Sequence, residues 1–380
     1  MKMARSPHAF VRGSTAQFYD WLDARGGHAP QGPHVWICGD CHTGNLGPVA
    51  DAKGRVAVQI RDLDQTVIGN PAHDLIRLGL SLAMAARGSN LPGVTVALMA
   101  EQLVGGYADG LSRPHPGRGD ETAPKAVRQV LRQSLRRRWK DLARERIDDP
   151  KPVIPLGKRF WALSERERRA IGVLAESESL RRLVTLLQGR PDGADVELAD
   201  AAYWMKGCSS LGRLRFAVLV KVRSGDTSET CLIDVKEAVE AAAPHAPGAR
   251  MPRSQAARVV KGARALSPNL GDRMLAARLL NRAVVLRELT PQDLKLNIER
   301  LSRAEAVRAA RYLAAVVGRA HARQMDRATR QAWARDLARG HSKALEAPSW
   351  LWNSLVELVG AHESAYLDYC RSYALQAQDG

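Results

Sequence analysis

The segment Gly39-Asp40-Cys41-His42-Thr43-Gly44-Asn45 lies between two short apolar runs, Val35–Cys38 and Val56–Ile60, and the second run leads straight into Arg61-Asp62-Leu63-Asp64. Two buried strands joined this way must carry a polar loop and an acidic strand end to one place. An Asp on a loop after a buried strand can orient a hydroxyl and accept its proton as a phosphoryl group is transferred. An Asn five residues later can turn back to a metal ion, and an Asp after the next strand can hold the same ion against phosphates. Mg²⁺ takes oxygen ligands and keeps much of its water, so one Asn and one or two Asp suit it. Asp40 is thus the candidate catalytic residue, and Asn45, Asp62 and Asp64 are the candidate metal ligands. A lone loop Asp is more often a turn former or cap; the joint spacing carries the reading. For His42, packing within the loop and direct participation both stay open.

A second constellation lies downstream, in Lys206-Gly207-Cys208-Ser209-Ser210-Leu211-Gly212-Arg213, followed by Arg215–Val222, the turn Ser224-Gly225-Asp226 and Thr230–Val235. The two apolar runs read as a β-hairpin. Glycines at a hairpin let backbone N–H groups approach phosphates, so Gly207, Ser209, Ser210 and Gly212 are candidate phosphate contacts. A plain hairpin turn explains the glycines equally well. Lys236 at the end of an apolar strand is more informative, because a strand lysine normally sits on a solvated face, and here it can reach phosphates.

The first string resembles the H-G-D-x-H-x-x-N…I-D-F-x-D signature of aminoglycoside phosphotransferase-like kinases, and Gly69-Asn70-Pro71-Ala72-His73-Asp74-Leu75 resembles its G-x-P-x-x-D-L continuation. The second resembles a kinase Gly-rich loop and strand lysine. The resemblance implies that Asp40 is the catalytic Asp, that Asn45 and Asp62 hold Mg²⁺ with Asp64 close by, and that Asp74 braces the loop. Cys38 stands where the signature has His. It further implies that ATP is the cofactor and that the backbone near Glu288 and Leu289 meets the adenine. The order is inverted, since the Gly-rich loop and lysine follow the catalytic loop. The implied fold is therefore α+β, a protein kinase-like two-lobe fold in circularly permuted order with a large helical C-lobe. Residues 1–115 would carry the catalytic loop and metal ligands, 116–195 a basic helical block, 196–290 the β-rich nucleotide lobe, and 291–380 the helical remainder. A kinase lysine is normally paired with a Glu on the adjacent helix, yet no Asp or Glu occurs from Ala241 to Gly271.

The chain is also similar, over nearly its whole length, to the bacterial domain of unknown function 2252. The resembling stretches are Ser6–Gly13, Cys38–Gly47, Arg61–Leu82, Lys206–Gly212, Val235–Ala238, Arg258–Val260, Arg287–Lys295 and Ala320–Arg323. That family supplies no substrate.

Composition bounds the alternatives. A chain of 380 residues with 45% hydrophobic content can bury a sizeable core in two or three lobes. The net charge of +17 attracts anions, but 45 of the 57 basic residues are Arg, as a GC-rich genome also produces, so nucleic acid is the lesser alternative. The run Arg136-Arg137-Arg138-Trp139-Lys140 reads either as a phosphate or RNA patch or as a solvated helix face over Val127, Val130, Leu131, Leu135 and Leu142. No apolar stretch reaches the roughly 20 residues of a membrane span, and the N-terminus carries charge without an apolar core, so a cytoplasmic protein without membrane partner is expected. Five cysteines make no disulfide framework. Cys38-Gly39-Asp40-Cys41-His42 matches a haem-attachment string and offers three zinc ligands, but the kinase reading explains a longer segment. Helices are expected from Pro71, over 125–190, over Ala256–Leu266 and Asp272–Leu280, and from Arg303 to about Leu375, with a strand at Ala283–Leu289.

The expected activity is ATP·Mg²⁺-dependent phosphoryl transfer to a hydroxyl, most simply of a small molecule. The alternatives are a non-catalytic nucleotide-binding pseudokinase, an AMP-transferring variant, or a basic nucleic-acid-binding protein.

Overall fold

The computed structural model describes residues 3–25, 29–114, 123–147, 153–187, 190–205, 212–294, 296, 301–342 and 345–376. The N-terminal part runs α1 (Pro7–Val11), α2 (Thr15–Arg25), β1 (Val35–Ile37), β2 (Leu46–Ala50), β3 (Val56–Ile60), β4 (Val67–Gly69), α3 (Pro71–Gly88) and α4 (Gly93–Ser112). Next come α5 (Lys125–Arg136), α6 (Trp139–Arg146), β5 (Phe160–Trp161), α7 (Glu165–Ala175), α8 (Glu178–Thr185), β6 (Asp195–Trp204), β7 (Arg215–Ser224) and β8 (Thr227–Glu237). The chain continues through α9 (Gln255–Leu266), α10 (Pro268–Gly271), β9 (Met274–Leu279), β10 (Arg282–Leu289), α11 (Arg303–Ala322), α12 (Arg327–Leu337), β11 (His341–Ser342), β12 (Leu345–Pro348) and α13 (Ser349–Gln376). The architecture is mixed α+β. None of the described helices is long and apolar enough to cross a membrane.

The helical part packs around α3. Asn70 caps it by accepting from the Ala72 amide at 3.0 Å, and Pro71 presets its first turn. From Leu75 to Ala86 every residue is buried, Arg77 included. Helices α4 and α11 approach backbone to backbone, because a Cβ at Gly106, Gly110 or Gly318 would run into the facing main chain. That close contact brings Tyr107 of α4 and His321 of α11 within hydrogen-bonding distance, at 2.8 Å.

The β-rich part is one antiparallel sheet in the order β5-β6-β7-β8-β10-β9. Strand alternation gives it two apolar faces. One carries Phe216, Val218, Val220, Ile233, Val235 and Leu286 beneath α7 and α8. The other carries Ala217, Leu219, Leu232 and Leu289 against Leu142 and Ala143 of α6. Helix α9 joins β8 to β9 and binds the sheet to the helical core through Val259, Val260 and Ala263.

Three local expectations need correction. The segment Asp272–Leu280 is not helical: Met274–Leu279 is strand β9, paired with β10 from Arg282↔Leu279 to Arg287↔Met274. Its Met, Leu, Ala and Arg residues favour helix, but Leu275, Ala277 and Leu279 alternate onto the sheet core. The two turn residues, Leu280 and Asn281, both adopt positive φ, 51° and 65°, as a two-residue hairpin turn requires. Leu is a rare residue there, which hides the hairpin. The loop between the first two strands contains a further strand, β2, masked by Gly47 and Pro48. Leu135 is 51% exposed rather than inward, whereas Val127 and Leu142 are buried.

Candidate functional site

Strand β1 ends at Ile37, and the chain turns at Gly39, whose φ of +75° suits glycine. A side chain there would also strike the Gln65 carbonyl. The amides of Cys38 and Gly39 donate to the two carboxylate oxygens of Asp74, at 2.7 and 3.0 Å. Asp74 stands in the first turn of α3, so the loop is pinned to the helix N-terminus. The Asp74 carboxylate also meets His321 Nε2 at 3.1 Å, while Trp333 Nε1 donates to Tyr107 Oη at 3.2 Å. This order fixes the protons: Tyr107 donates to Nδ1 of His321, and Nε2 donates to Asp74. Nothing in the linear spacing announces this chain, since its members lie on four helices.

Asp40 Oδ1 accepts from Arg77 Nε at 2.9 Å, and Oδ2 lies 3.7 Å from His42 Nε2. The Arg77 guanidinium is held by the Val11 carbonyl at 2.6 Å and lies over the Phe18 ring. Sequence reading missed Arg77. Its one signal was a single cation inside the apolar run Leu75–Ala86. Asn45 Nδ2 donates to the Asp40 carbonyl at 3.0 Å, which leaves its Oδ1 as the atom free for a ligand. The Asn45 carbonyl accepts from the Arg61 amide at 2.7 Å, so the β2–β3 hairpin sets Asp62 beside loop 38–45.

Burial lowers the His42 pKa from 6.5 to about 4, against the opposing pull of Asp40. The unfolded chain therefore binds a proton that the folded chain refuses between those two values. The stability tied to neutral His42 is whole above 6.5 and shrinks as pH falls towards 4. From about pH 7 to about pH 5 the loss is on the order of 2 kcal/mol. Urea unfolding of wild type and His42→Gln at both pH values checks this: the variant should have the shallower dependence, and equal dependence would rule out His42 as its source.

Lys236, at the end of β8, forms an ion pair with Asp64 Oδ2. The missing acidic partner of the strand lysine is thus supplied by the opposite part of the molecule. On α9, the helix searched for a Glu, Arg258 instead donates to the carbonyls of Thr66 at 2.5 Å, Asp64 at 2.9 Å and Val239 at 2.8 Å. Loss of water on its protein-facing side would raise the carboxyl of the exposed residue Asp62, but Lys236, the Asp64 amide and Arg287 outweigh this and hold it below the usual range. Enclosure and the neighbouring Asp62 push Asp64 up. Asp62 and Asp64, facing Lys236, present carboxylate oxygens of the kind that hold a divalent cation. With Asn45 Oδ1 the donors are all oxygen, which fits Mg²⁺.

Gly207, Ser209 and Ser210 lie outside the described residues. Gly212 occupies a turn just before β7, with φ +75° and open space around it. Glu288 departs from its expected role. Its amide donates to the Arg273 carbonyl at 3.3 Å, and its carbonyl accepts from Arg273 Nη1 at 2.9 Å, so its main chain is not free for a base. Its side chain turns to the other face and accepts from Arg190 at 2.6 Å. The Leu289 side chain packs in the layer with α6. Cys38 and Cys41 are each 1% exposed, and with Asp74 they form a compact trio of potential metal ligands. The Asp74 oxygens are already taken by two amides and His321.

The family model described as "Uncharacterized protein conserved in bacteria (DUF2252)" matches residues 1–372. The chain belongs to DUF2252. No curated protein and no solved structure matches it. In this DUF2252 chain, Lys236 comes from a distant segment to pair with Asp64, which lies beside loop 38–45 across the β2–β3 hairpin.

Proposed function

We propose that this DUF2252 protein is an ATP·Mg²⁺-dependent phosphotransferase whose acceptor is a hydroxyl of a small molecule. One observation carries the reading: Lys236, from the sheet, pairs with Asp64 beside Asp62, Asn45 and Asp40. The order of the sheet supports a permuted kinase-like two-lobe arrangement. Strands β6 and β7 flank the glycine-containing loop, β8 carries the lysine, α9 follows, and β9 and β10 complete the set. That is the placement a kinase requires for a lysine on its third strand and a helix behind it.

In this reading Asp40 Oδ2 accepts the proton of the acceptor hydroxyl. Arg77 fixes the other oxygen, so the carboxylate keeps one orientation. The acceptor oxygen forms a bond to the γ-phosphorus, the bond from that phosphorus to the β,γ-bridging oxygen breaks, and ADP leaves. Asn45, Asp62 and Asp64 would hold Mg²⁺, which when bound neutralises charge on the phosphates. Lys236 would exchange part of its contact with Asp64 for phosphate.

Calorimetry of Mg·ATP binding to wild type, Lys236→Ala and Asp62→Ala tests the proposal. Binding should require Mg²⁺ and weaken at least about tenfold in each variant, as loss of one charge-assisted contact predicts. A well-folded wild type that binds no nucleotide ends the reading. The bonded main chain of Glu288 favours a second one, in which the nucleotide lies in another pose and AMP is transferred, or nothing is. Label at the α- rather than the γ-phosphorus would then appear in product.

A further inference from the structure

Where β10 ends and the chain passes back to the helical part, guanidinium groups outnumber acids. Arg61, Arg137, Arg146, Arg273 and Arg287 gather around two carboxylates, Asp293 and Glu145. Asp293, 5% exposed, accepts from Arg273 at 3.0 Å and Arg287 at 2.7 Å, and its carbonyl takes Arg61 Nη2 at 3.0 Å. Glu145 takes Arg137 at 2.7 Å and Arg146 at 3.2 Å. The nearby carboxylates are engaged elsewhere, Asp234 with Arg215 and Asp64 with Lys236. With Asp62, which faces Arg61 and Arg287 at longer range, five cations meet three anions, and positive charge remains in excess.

The donors tell the same story. Nε of Arg61, Arg137, Arg146 and Arg287 is buried in each case and meets no acceptor among the described residues. Arg61 itself is only 8% exposed. Buried N–H groups are almost always paired, so four such atoms in one neighbourhood call for an acceptor that is not part of the chain. The group lies beside the metal-holding loop, because Arg287 Nη1 donates at 2.8 Å to the carbonyl of Arg61, the residue before Asp62.

We propose that Arg61, Arg137, Arg146 and Arg287 form a subsite for a phosphate or diphosphate group. A carboxylate offers two oxygens and one charge. A phosphate offers oxygens in several directions and about two charges, which matches donors arriving from β10, α6, the α5–α6 junction and the end of β3. This part of the cleft is walled by guanidiniums and the Arg215–Asp234 pair, a lining suited to an anion rather than to a purine ring. The assignment does not depend on phosphoryl transfer taking place.

The test is calorimetric titration of the full chain with inorganic phosphate and with pyrophosphate, in the absence of Mg²⁺ and nucleotide. Pyrophosphate should bind, and Arg146→Gln or Arg287→Gln should weaken it at least about tenfold, while the exposed Arg169→Gln changes it less than about twofold. Arg287 also supports Asp293, so its variant can fail to fold. Among the described residues Arg146 pairs with an acid only at Glu145, on its own helix, and keeps the test alive. In phosphate-free buffer, Arg146→Gln should also raise the melting temperature by relieving repulsion, a change that lost packing would not produce. A folded wild type that binds neither anion, or binding that falls in Lys236→Ala but not in the arginine variants, overturns the proposal. ADP that displaces pyrophosphate would assign the subsite to the nucleotide. Simultaneous binding would assign it to a phosphate-bearing acceptor.

Discussion

Asp40→Asn should lower the Mg·ATP-dependent turnover of this DUF2252 protein at least about 10²-fold and leave nucleotide binding intact. The substitution keeps the shape of the side chain. Its Oδ1 can still accept from Arg77 Nε, a bond of 2.9 Å in the wild type, and the loop stays anchored through Asp74. What disappears is the second oxygen's ability to take a proton. In transition-state terms about 10²-fold is close to 2.7 kcal/mol, within the range of a positioned general base. Steady-state turnover and calorimetry on one preparation separate the two effects. Equal kcat in both proteins would remove Asp40 from the chemistry while leaving a nucleotide-binding function standing.

Asp74→Ala should cost about 3–5 kcal/mol of stability, the range seen when one partner of a buried charged network is removed. Asp74 is 1% exposed, and its carboxylate accepts from two loop amides and from His321. Truncation leaves those three donors unpaired in a core that admits no water to replace the oxygens. Because the amides belong to Cys38 and Gly39, the damage reaches the loop that carries Asp40. The variant should therefore lose turnover as well as stability, and His321→Ala should lose less of both, since the two amide bonds remain. Denaturant midpoints for the two variants give the comparison. A loss below about 1 kcal/mol in Asp74→Ala would mean the loop is held by its packing alone.

Much of the candidate site was legible because the proposed phosphoryl transfer would ask for few residue types at short spacings. Asn45 and Arg61 close the base of the β2–β3 hairpin, so Asp40 and Asn45 on one side and Asp62 and Asp64 on the other are brought together by local pairing. The roles of Asp74 and Lys236 were read from their place before and after recognisable elements. The β7–β8 hairpin was visible as two apolar runs broken by Ser224-Gly225-Asp226, whereas β6, partly exposed along its length, was not read as a strand. Strand β9 was misread because helix-forming residues were overridden by pairing with β10. The Glu288 main chain, expected to meet a base, is bonded to Arg273 just before β9, a contact that linear order does not express.

The amino-acid sequence by itself determined the mixed α+β class, the family, the acidic pair after Ile60 and the buried helix α3, since each depends on periodicity or on residues close along the chain. Only the tertiary structure decided what those residues meet. It paired Lys236 with Asp64 in place of a helix Glu, set Arg77 on Asp40, ran the hydrogen-bonded line from Trp333 to Asp74, and gathered four arginine Nε atoms without acceptors at the end of β10. Each of these is a contact between side chains on different elements, fixed by how helices and sheet pack, and packing is a property of the whole chain.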